Sequence, residues 1–349
     1  MRPKKKIVVI INTVTPYQID FFENLKKKTD LRVFFYSRNY TNYKFNFKEK
    51  KYHIFLDKKK NPLKTIFSEI DKFSPNLIIF GGYRLKYSSN IITFLKKKKI
   101  NYFYWLENLN KKNYLKFKIV SFLIKKKIEK SNGVLSVGNV AKKLYSKNCS
   151  NVINFPYSIK INKINKKLFY HNKKINFLFV GQLIKRKGLH YLVEAVKKLS
   201  EFEKSKITLN IVGDGILIKS LKSFLLKNPF VKYHGFLFDK KLYKLYEKSD
   251  VLIFPSIFDG WGVVPMEAMA RSLSLIISKN SGVTEILKNG VNGLIIKPNS
   301  KELLRAIRKY IQDPKMIKKQ GYRNKKLILK SICNVENSTD LLIKEISKL

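Results

Sequence analysis

One stretch near residue 260 restricts the possible folds of this 349-residue chain more than any other. Residues 250–254 are a short apolar run of the kind that forms a buried parallel strand. Residues 259–262 follow as a loop in which two glycines let the backbone approach a ligand closely. Pro265 then suits the first turn of a helix, and residues 266–270 are good helix formers. The sequence therefore predicts a strand, a glycine loop and a helix in direct succession.

This succession predicts an anion-binding site. The unpaired N–H groups and the positive end of a helix N-terminus attract phosphate beyond the end of the strand. Two acids frame the site, Asp259 in the loop and Glu267 on the helix. Carboxylates accept hydrogen bonds from hydroxyl groups and have no attraction for phosphate. The expected ligand therefore carries both phosphate and sugar.

The rest of the chain alternates apolar runs with segments of helical periodicity, which predicts α/β domains with helices on both faces of a parallel sheet. The predicted strands are 7–11, 31–36, 76–80, 100–106, 133–137, 175–180, 207–212, 231–235, 250–254, 275–278 and 293–296. A polar, Lys- and Asn-rich run between residues 154 and 174 interrupts the alternation. We expect an N-terminal domain at 1–165, a C-terminal domain at 166–330, and a helix at 331–349 that crosses back to the first domain.

The charge of the chain indicates several classes of partner but does not distinguish between them. The formal net charge is +49, and the first half carries the larger share. A basic surface attracts nucleic acid, anionic lipid or phosphorylated ligands, although lysine runs are often just solvated faces. No apolar stretch approaches the ~20 residues of a membrane span. We expect a cytoplasmic protein that docks through its basic first half at the inner face of the plasma membrane.

A second loop carries positive charge at a predicted strand end. Residues 181–188 have glycine at both ends and cations between them, which suits a diphosphate. Taken alone, this loop is better explained as an ordinary strand–helix connection with solvated lysines, and Gly213-Asp214-Gly215 is consistent with a plain turn. The ligands of parallel sheets bind beyond the carboxyl ends of the strands. Together with residues 259–267, the two loops should border one crevice, which favours the functional interpretation.

In these motifs the chain resembles the family 4 retaining glycosyltransferases of the GT-B fold. The motifs are Lys187-Gly188, Gly213-Asp214-Gly215, Asp259 with Glu267, Gly282-Val283-Thr284-Glu285, and Asn292-Gly293-Leu294. They fall in the family's order and cover residues 175–300, whereas the first half matches only in general layout. The resemblance implies two doubly wound, Rossmann-like domains that face each other across a cleft.

The resemblance also implies the roles of the donor residues, with Lys187, Asp259 and Glu267 as the catalytic set. Lys187 would pair with the donor diphosphate, Glu267 would bind the ribose hydroxyls, and Asp259 would hold the transferred sugar. The family often has Arg at the position of Gln182 and Glu at that of Asp259; Arg186 is the expected substitute cation. The implied donor-binding residues are Gly181, Gln182, Arg186, Lys187, Gly213, Gly215, His234, Gly235, Phe236, Gly260, Trp261, Gly262, Val263, Val264 and Glu267.

The acceptor side rests on weaker signals. The candidate residues lie at predicted strand ends of the first half and are equally consistent with turns or surface positions: Pro16, Tyr17, Gln18, Gly82, Tyr83 and Glu107. No Asp-x-Asp sequence occurs, so we expect no metal and no cofactor, the nucleotide sugar being a co-substrate. In the family the acceptor proton passes to phosphate, and no protein base is required.

The predicted function is a hexosyltransferase-type enzyme of bacterial surface polysaccharide synthesis. It would move a sugar from a nucleotide-diphosphate sugar, with a UDP-sugar favoured, to a glycan or lipid-linked glycan. One alternative is a basic nucleic-acid-binding protein, although no binding motif with interleaved aromatics occurs and no nucleic acid is expected. Another is a GT-B protein that binds nucleotide sugar without transferring it.

Overall fold

The computed structural model describes residues 4–38, 47–109, 114–161 and 174–349. The chain separates into two compact units. The first comprises Met1–Lys160 and Ile332–Leu349, and the second comprises Ile161–Ser331. The predicted domain boundary at residues 165 and 166, and most of the polar run around it, lie outside the described residues.

The first unit contains a seven-stranded parallel sheet with the strand order β3-β2-β1-β4-β5-β6-β7. Its strands are β1 Lys6–Thr13, β2 Asp30–Ser37, β3 His53–Phe55, β4 Leu77–Gly81, β5 Asn101–Glu107, β6 Gly133–Val137 and β7 Val152–Asn154. The connecting helices are α1 Pro16–Lys28, α2 Pro62–Phe73, α3 Ser88–Lys97, α4 Tyr114–Ile128 and α5 Asn139–Tyr145. The central strands are apolar on both faces because helices cover both sides of the sheet.

The second unit repeats this plan with six parallel strands in the order β10-β9-β8-β11-β12-β13. The strands are β8 Ile175–Val180, β9 Ile207–Val212, β10 Val231–Tyr233, β11 Val251–Phe254, β12 Ser274–Ser278 and β13 Leu294–Ile296. The helices are α6 Leu189–Lys197, α7 Glu201–Ser205, α8 Ile218–Leu226, α9 Asp239–Glu247, α10 Val263–Ala270, α11 Ser300–Gln312 and α12 Lys315–Lys330. The predicted class, two doubly wound α/β domains, is confirmed.

The last helix, α13 (Val335–Ile346), belongs to the first unit. Its buried face packs against α1, and Lys28 of α1 forms an ion pair with Asp340. Ahead of the helix, the backbone N–H of Ile159 donates to Cys333 (2.8 Å), and that of Val335 donates to Ile159 (3.1 Å). The first unit is therefore assembled from two distant parts of the sequence.

In the described part of the chain, no helix is both long and apolar enough to cross a bilayer.

Candidate functional site

The candidate donor site lies where the strand order of the second sheet reverses. After β8 the chain proceeds outward through β9 and β10, and it then returns to place β11 on the other side of β8. The loops that leave β8 and β11 therefore start side by side at the carboxyl edge of the sheet. Such a reversal point is where open α/β sheets bind their ligands.

Glycines hold these loops closer together than any side chain would permit. Gly188 has a φ of 76°, and a Cβ there would lie 2.2 Å from the carbonyl oxygen of Pro255. Gly213 has a φ of 139°, and its Cβ would lie 1.8 Å from the carbonyl oxygen of Gly181. L side chains rarely adopt these conformations, and a Cβ would also collide with the neighbouring backbone. Both positions therefore require glycine for two reasons. Close packing of backbone on backbone therefore fixes the β8, β9 and β11 loops.

Cations from the β8 loop meet an acid from the β11 loop. The Nζ of Lys187 lies 2.5 Å from Oδ2 of Asp259, and Nη1 of Arg186 lies 3.7 Å from the same oxygen. Arg186 also donates to the carbonyl of Phe258 (3.1 Å), and its own carbonyl accepts from the N–H of Ile257 (2.8 Å). The side chains of Lys187 and Asp259 are largely shielded from solvent, whereas Arg186 is more exposed. Two cations and one carboxylate thus share a partly dry site.

Helix α10 begins directly beyond this cluster. Gly262 occupies its N-cap in a left-handed conformation with a φ of 108°. No side chain caps the helix, so its first amides are satisfied neither by a cap nor by an intrahelical bond. Trp261 is buried, and its indole N–H lies 3.3 Å from the sulfur of Met266. The tryptophan therefore anchors the loop to the helix.

Glu267 is held by neighbours that the sequence analysis did not identify. The hydroxyl of Tyr246 on α9 donates to Oε2 of Glu267 at 3.0 Å, and Arg271 donates to the Glu267 carbonyl at 3.1 Å. Burial raises the pKa of Tyr246 well above its ordinary value, and the charge of Glu267 raises it further. The tyrosine is therefore a permanent donor to the carboxylate. The guanidinium of Arg271 stacks 3.9 Å from the Tyr243 ring centroid.

One of these neighbours had a signal in the sequence. Arg271 stands four residues after Glu267, the spacing that brings side chains together on a helix. Asn280, which follows β12, could likewise have been found from its strand-end position. Its side chain donates to the carbonyl of Ile257 (2.9 Å), while its own carbonyl accepts from the N–H of Asp259 (3.1 Å). Tyr246 carried no signal, because tertiary packing alone brings α9 to α10.

The segment predicted to border the base follows β10, at the edge of the sheet. Nε2 of His234 lies 2.8 Å from Oδ1 of Asn210, and burial lowers the pKa of His234 below its ordinary value. The ring is therefore neutral near pH 7. Phe236 is exposed beside Phe238, with ring centroids 6.0 Å apart. The N–H of Gly213 donates to the Gly235 carbonyl at 2.8 Å, which ties this segment to the β9 loop.

The structure brings together most of the predicted donor residues. The residues after β8, β9 and β11 lie on adjacent loops at the carboxyl edge of the second sheet. The residues after β10 follow its outermost strand. Gln182 is partly buried in the β8 loop, and Gly215 packs on the backbone of Leu183. Val263, Val264 and Glu267 are partly exposed on α10. The described residues contain no group of three or more His, Cys, Asp or Glu side chains that could hold a metal ion.

The predicted acceptor residues lie at the carboxyl edge of the first sheet. Pro16 begins α1 after β1, with Thr15 donating to Gln18 at 2.6 Å. The Tyr17 ring packs 4.8 Å from that of Tyr157. Burial raises the pKa of Tyr157 well above its ordinary value, and the charge of Glu107 adds to the effect. Two aromatic rings therefore pack together near the Glu107 carboxylate.

Gly82 and Tyr83 follow β4, the neighbour of β1 and β5 in the same sheet. The Nζ of Lys127 on α4 donates to the carbonyl of Tyr83 at 2.7 Å. The side chain of Arg84 lies over the Tyr83 ring, 5.3 Å from its centroid. This turn is therefore fixed to α4 and lies at the same sheet edge as the other predicted acceptor residues.

Comparison with known proteins agrees with this geometry. The family model of glycosyl transferases group 1 matches residues 160–327. An uncharacterized glycosyltransferase of Methanocaldococcus jannaschii is 32% identical over 151 residues, which are 42% of this chain and 38% of the relative. The O-antigen chain mannosyltransferase RfbU of Salmonella typhimurium is 28% identical over 216 residues, covering 60% of this chain and 58% of the relative. Both matches span less than two thirds of the relative's length.

The fold has solved counterparts that cover almost the whole chain. HepE of Anabaena, solved in complex with UDP, matches with a TM-score of 0.75 at 15% identity and covers 99% of this chain and 100% of that one. The same protein solved with UDP-glucose matches with a TM-score of 0.72 at 15% identity, covering 98% and 100%. At this identity the likeness establishes the fold.

Proposed function

We propose that this chain, whose residues 160–327 match the family model of glycosyl transferases group 1, transfers a sugar from a nucleotide-diphosphate sugar to a glycan or lipid-linked glycan. The observation that supports this most is the cluster at the sheet reversal. Lys187 and Arg186 stand beside Asp259 there, next to the uncapped start of α10. Cations and amides suit a diphosphate, and carboxylates suit the hydroxyls on either side of it.

The proposed donor is a UDP-sugar. HepE of Anabaena, which shares the fold, was solved with UDP and with UDP-glucose. In this chain Glu267, fixed by Tyr246, would accept hydrogen bonds from the ribose hydroxyls. The backbone of His234–Phe236 would border the base. Asp259 would exchange part of its contact with Lys187 for hydroxyls of a hexosyl group.

We propose transfer with retention at the anomeric carbon, as in family 4. The bond between the anomeric carbon and the diphosphate oxygen breaks, and the acceptor oxygen bonds to the anomeric carbon from the same face. The acceptor proton passes to the departing diphosphate, whose negative charge Lys187, Arg186 and the α10 amides would stabilise. Fixed donors directed at charge that develops in the transition state lower the barrier, so no metal ion is proposed.

The proposed setting is synthesis of a bacterial surface polysaccharide at the inner face of the plasma membrane. The mannosyltransferase RfbU acts on an O-antigen chain, and its similarity to this chain supports that setting. The net charge of +49 would favour approach to anionic lipid. An acceptor carried on lipid would then meet the carboxyl edge of the first sheet, where the predicted acceptor residues lie.

A panel of nucleotide sugars in a thermal-shift assay tests the donor proposal. A ligand at 100 times its dissociation constant stabilises by about 2.7 kcal/mol, so the bound donor identifies itself. With that donor and a glycan acceptor, NMR of the product reports the anomeric configuration, and EDTA should leave the rate unchanged. The proposal would be contradicted if RNA raised the melting temperature of the protein and no nucleotide sugar changed it.

A further inference from the structure

Helix α4 in the first unit has apolar side chains on two opposite faces. One face carries Val120, Ile124 and Ile128, which are buried in the core of the first unit. Four side chains on the other face are 46% to 71% exposed: Leu115, Ile119, Phe122 and Leu123. A helix that is apolar all round is normally covered on all sides. Among the described residues of α4, one apolar face is buried and the other is exposed.

This exposed set is different from scattered surface hydrophobic residues. Single exposed apolar residues are normal, whereas a contiguous group marks an interaction surface. At 100° per residue, positions 115, 119, 122 and 123 fall within an arc of about 100°, so their side chains form a continuous strip. We call these four side chains the α4 strip.

Lysines surround the α4 strip. Lys118, Lys125, Lys126 and Lys130 are exposed on the same helix or just after it. The Nζ of Lys126 lies 4.6 Å from the Phe122 ring centroid, so its stem lies along the apolar surface. One acid is present, Glu129, 3.7 Å from Lys125. The surface around the strip therefore remains positive.

We propose that the α4 strip inserts into the interface of an anionic membrane, with α4 lying in the plane of the bilayer. An apolar strip edged by lysines fits the boundary between acyl chains and anionic headgroups. A second copy of the chain fits less well, because a two-fold contact would bring the same lysines face to face. The proposal deepens the proposed membrane setting, since it names the inserting residues and adds apolar insertion to charge attraction.

The inner side of α4 connects this surface to the predicted acceptor side. Lys127 donates to the carbonyl of Tyr83 (2.7 Å) and to Oγ of Ser88 (3.3 Å). Tyr83 belongs to the turn after β4 where an acceptor is predicted to bind. At 100° per residue, Lys127 lies about a quarter turn from the strip, so a membrane bound at the strip would contact the same helix that fixes this turn. That connection rests on the proposed function, whereas membrane insertion itself does not.

Co-sedimentation of the full chain with lipid vesicles tests the proposal. The parent should sediment with vesicles of equal phosphatidylglycerol and phosphatidylcholine, and far less with pure phosphatidylcholine. Ile119→Ser combined with Phe122→Ser should weaken that binding by about tenfold or more. The matched control is Phe202→Ser with Leu226→Ser, whose parent side chains are 69% and 87% exposed in the second unit. This control should bind like the parent.

A fluorescent reporter separates insertion from surface attraction. The chain has two tryptophans, Trp105 and Trp261, and both are buried. Phe122→Trp adds an exposed one, whose emission should shift to the blue on anionic vesicles and remain shifted in high salt. Equal sedimentation of the parent and the Ile119/Phe122 double variant would overturn the proposal. The proposal would also be overturned if the parent did not bind vesicles and instead formed a dimer that the double variant could not form.

The result is independent of the donor proposal. UDP binding, measured by thermal shift without lipid, should be the same in the parent and in the Ile119→Ser, Phe122→Ser variant. A chain that binds vesicles through the strip but no nucleotide would retain this inference and reject the proposed function. If the chain binds nucleotide and the variant binds vesicles as well as the parent does, the proposed function is retained and this inference is rejected.

Discussion

Lys187 and Asp259 lie 72 positions apart in sequence, and their charged atoms are 2.5 Å apart. The pair joins the two loops that border the reversal point of the second sheet. Each partner has a different predicted ligand, diphosphate for the lysine and sugar for the acid. The ion pair therefore holds both side chains between the two loops.

Substitutions of this pair should separate nucleotide binding from sugar binding. Lys187→Ala should weaken UDP binding about tenfold or more, because charge-assisted hydrogen bonds to the diphosphate are lost. Lys185→Ala removes an exposed lysine of the same loop and should bind UDP like the parent. Calorimetry with UDP measures both. Equal affinities in the two variants would remove Lys187 from the donor site.

Asp259→Asn should behave differently from Lys187→Ala. UDP should bind as tightly as in the parent or more tightly, since Lys187 no longer shares its charge with a carboxylate. The advantage of the sugar nucleotide over UDP should disappear, because the asparagine accepts less strongly from sugar hydroxyls. Calorimetry with UDP and with the donor gives this ratio. A loss of UDP affinity would mean that Asp259 acts by positioning the lysine.

Tyr246→Phe should affect the donor through Glu267. Without the tyrosine hydroxyl the carboxylate loses its 3.0 Å donor, so the KM for the donor should rise several-fold while kcat changes little. The loss of a buried hydrogen bond should also lower stability by about 1 kcal/mol. Tyr310→Phe is the matched control, because that buried hydroxyl bonds to Ser274 and Gln320. It should lower stability without changing KM, and a similar KM in both variants would contradict a positioning role.

Gly213→Ala should strongly destabilise the second unit. The new Cβ would lie 1.8 Å from the Gly181 carbonyl oxygen at a φ that alanine rarely adopts, so the β8 and β9 loops must separate. We expect a loss of about 3 kcal/mol or more. Gly290→Ala, with a φ of 76° and nothing within 4 Å of its Cβ, should lose about 1 kcal/mol from backbone strain alone. Thermal unfolding should rank the two in this order; a reversed order would contradict the packing argument.

The stability of the first unit should depend on pH through His53. Burial, with a smaller contribution from the charge of nearby Lys50, lowers the pKa of His53 to about 4. An unfolded histidine titrates near 6.5, so the unfolded state takes up a proton first as the pH falls. The contribution is intact above about pH 6.5 and is lost progressively toward pH 4. The melting temperature of His53→Gln should fall less over this range than that of the parent, whereas parallel curves would exclude His53 as the cause.

Long apolar runs made the fold predictable from the sequence. The predicted bounds of β6, β8 and β9 match the observed strands because each run is almost entirely buried and is followed directly by a glycine. Two edge strands, β3 and β7, were missed. Each has three residues, which is too short to show a period of two. Their pairing depends on the neighbouring strand more than on their own sequence.

The positions of the donor residues were predictable, but their contacts were not. Strand-end loops and glycines identified Lys187, Asp259 and Glu267 as candidates for one edge of one sheet. Their contacts depend on how closely the loops approach, which is set by Gly188 against the Pro255 backbone. No rule of spacing gives such a distance. The same holds for Tyr246, whose hydroxyl reaches Glu267 from another helix.

The place of α13 in the first unit affects the order in which the chain can fold during synthesis. Domains usually fold as they leave the ribosome, starting from the N-terminal one. Here the apolar face of Val335–Ile346 covers α1. The first unit therefore cannot be completed until these residues are synthesised, after the entire second unit. The second unit can therefore mature first. Until α13 is made, the apolar surface of α1 that it covers stays exposed. A ribosome that pauses before residue 335 would therefore prolong the need of the first unit for a chaperone.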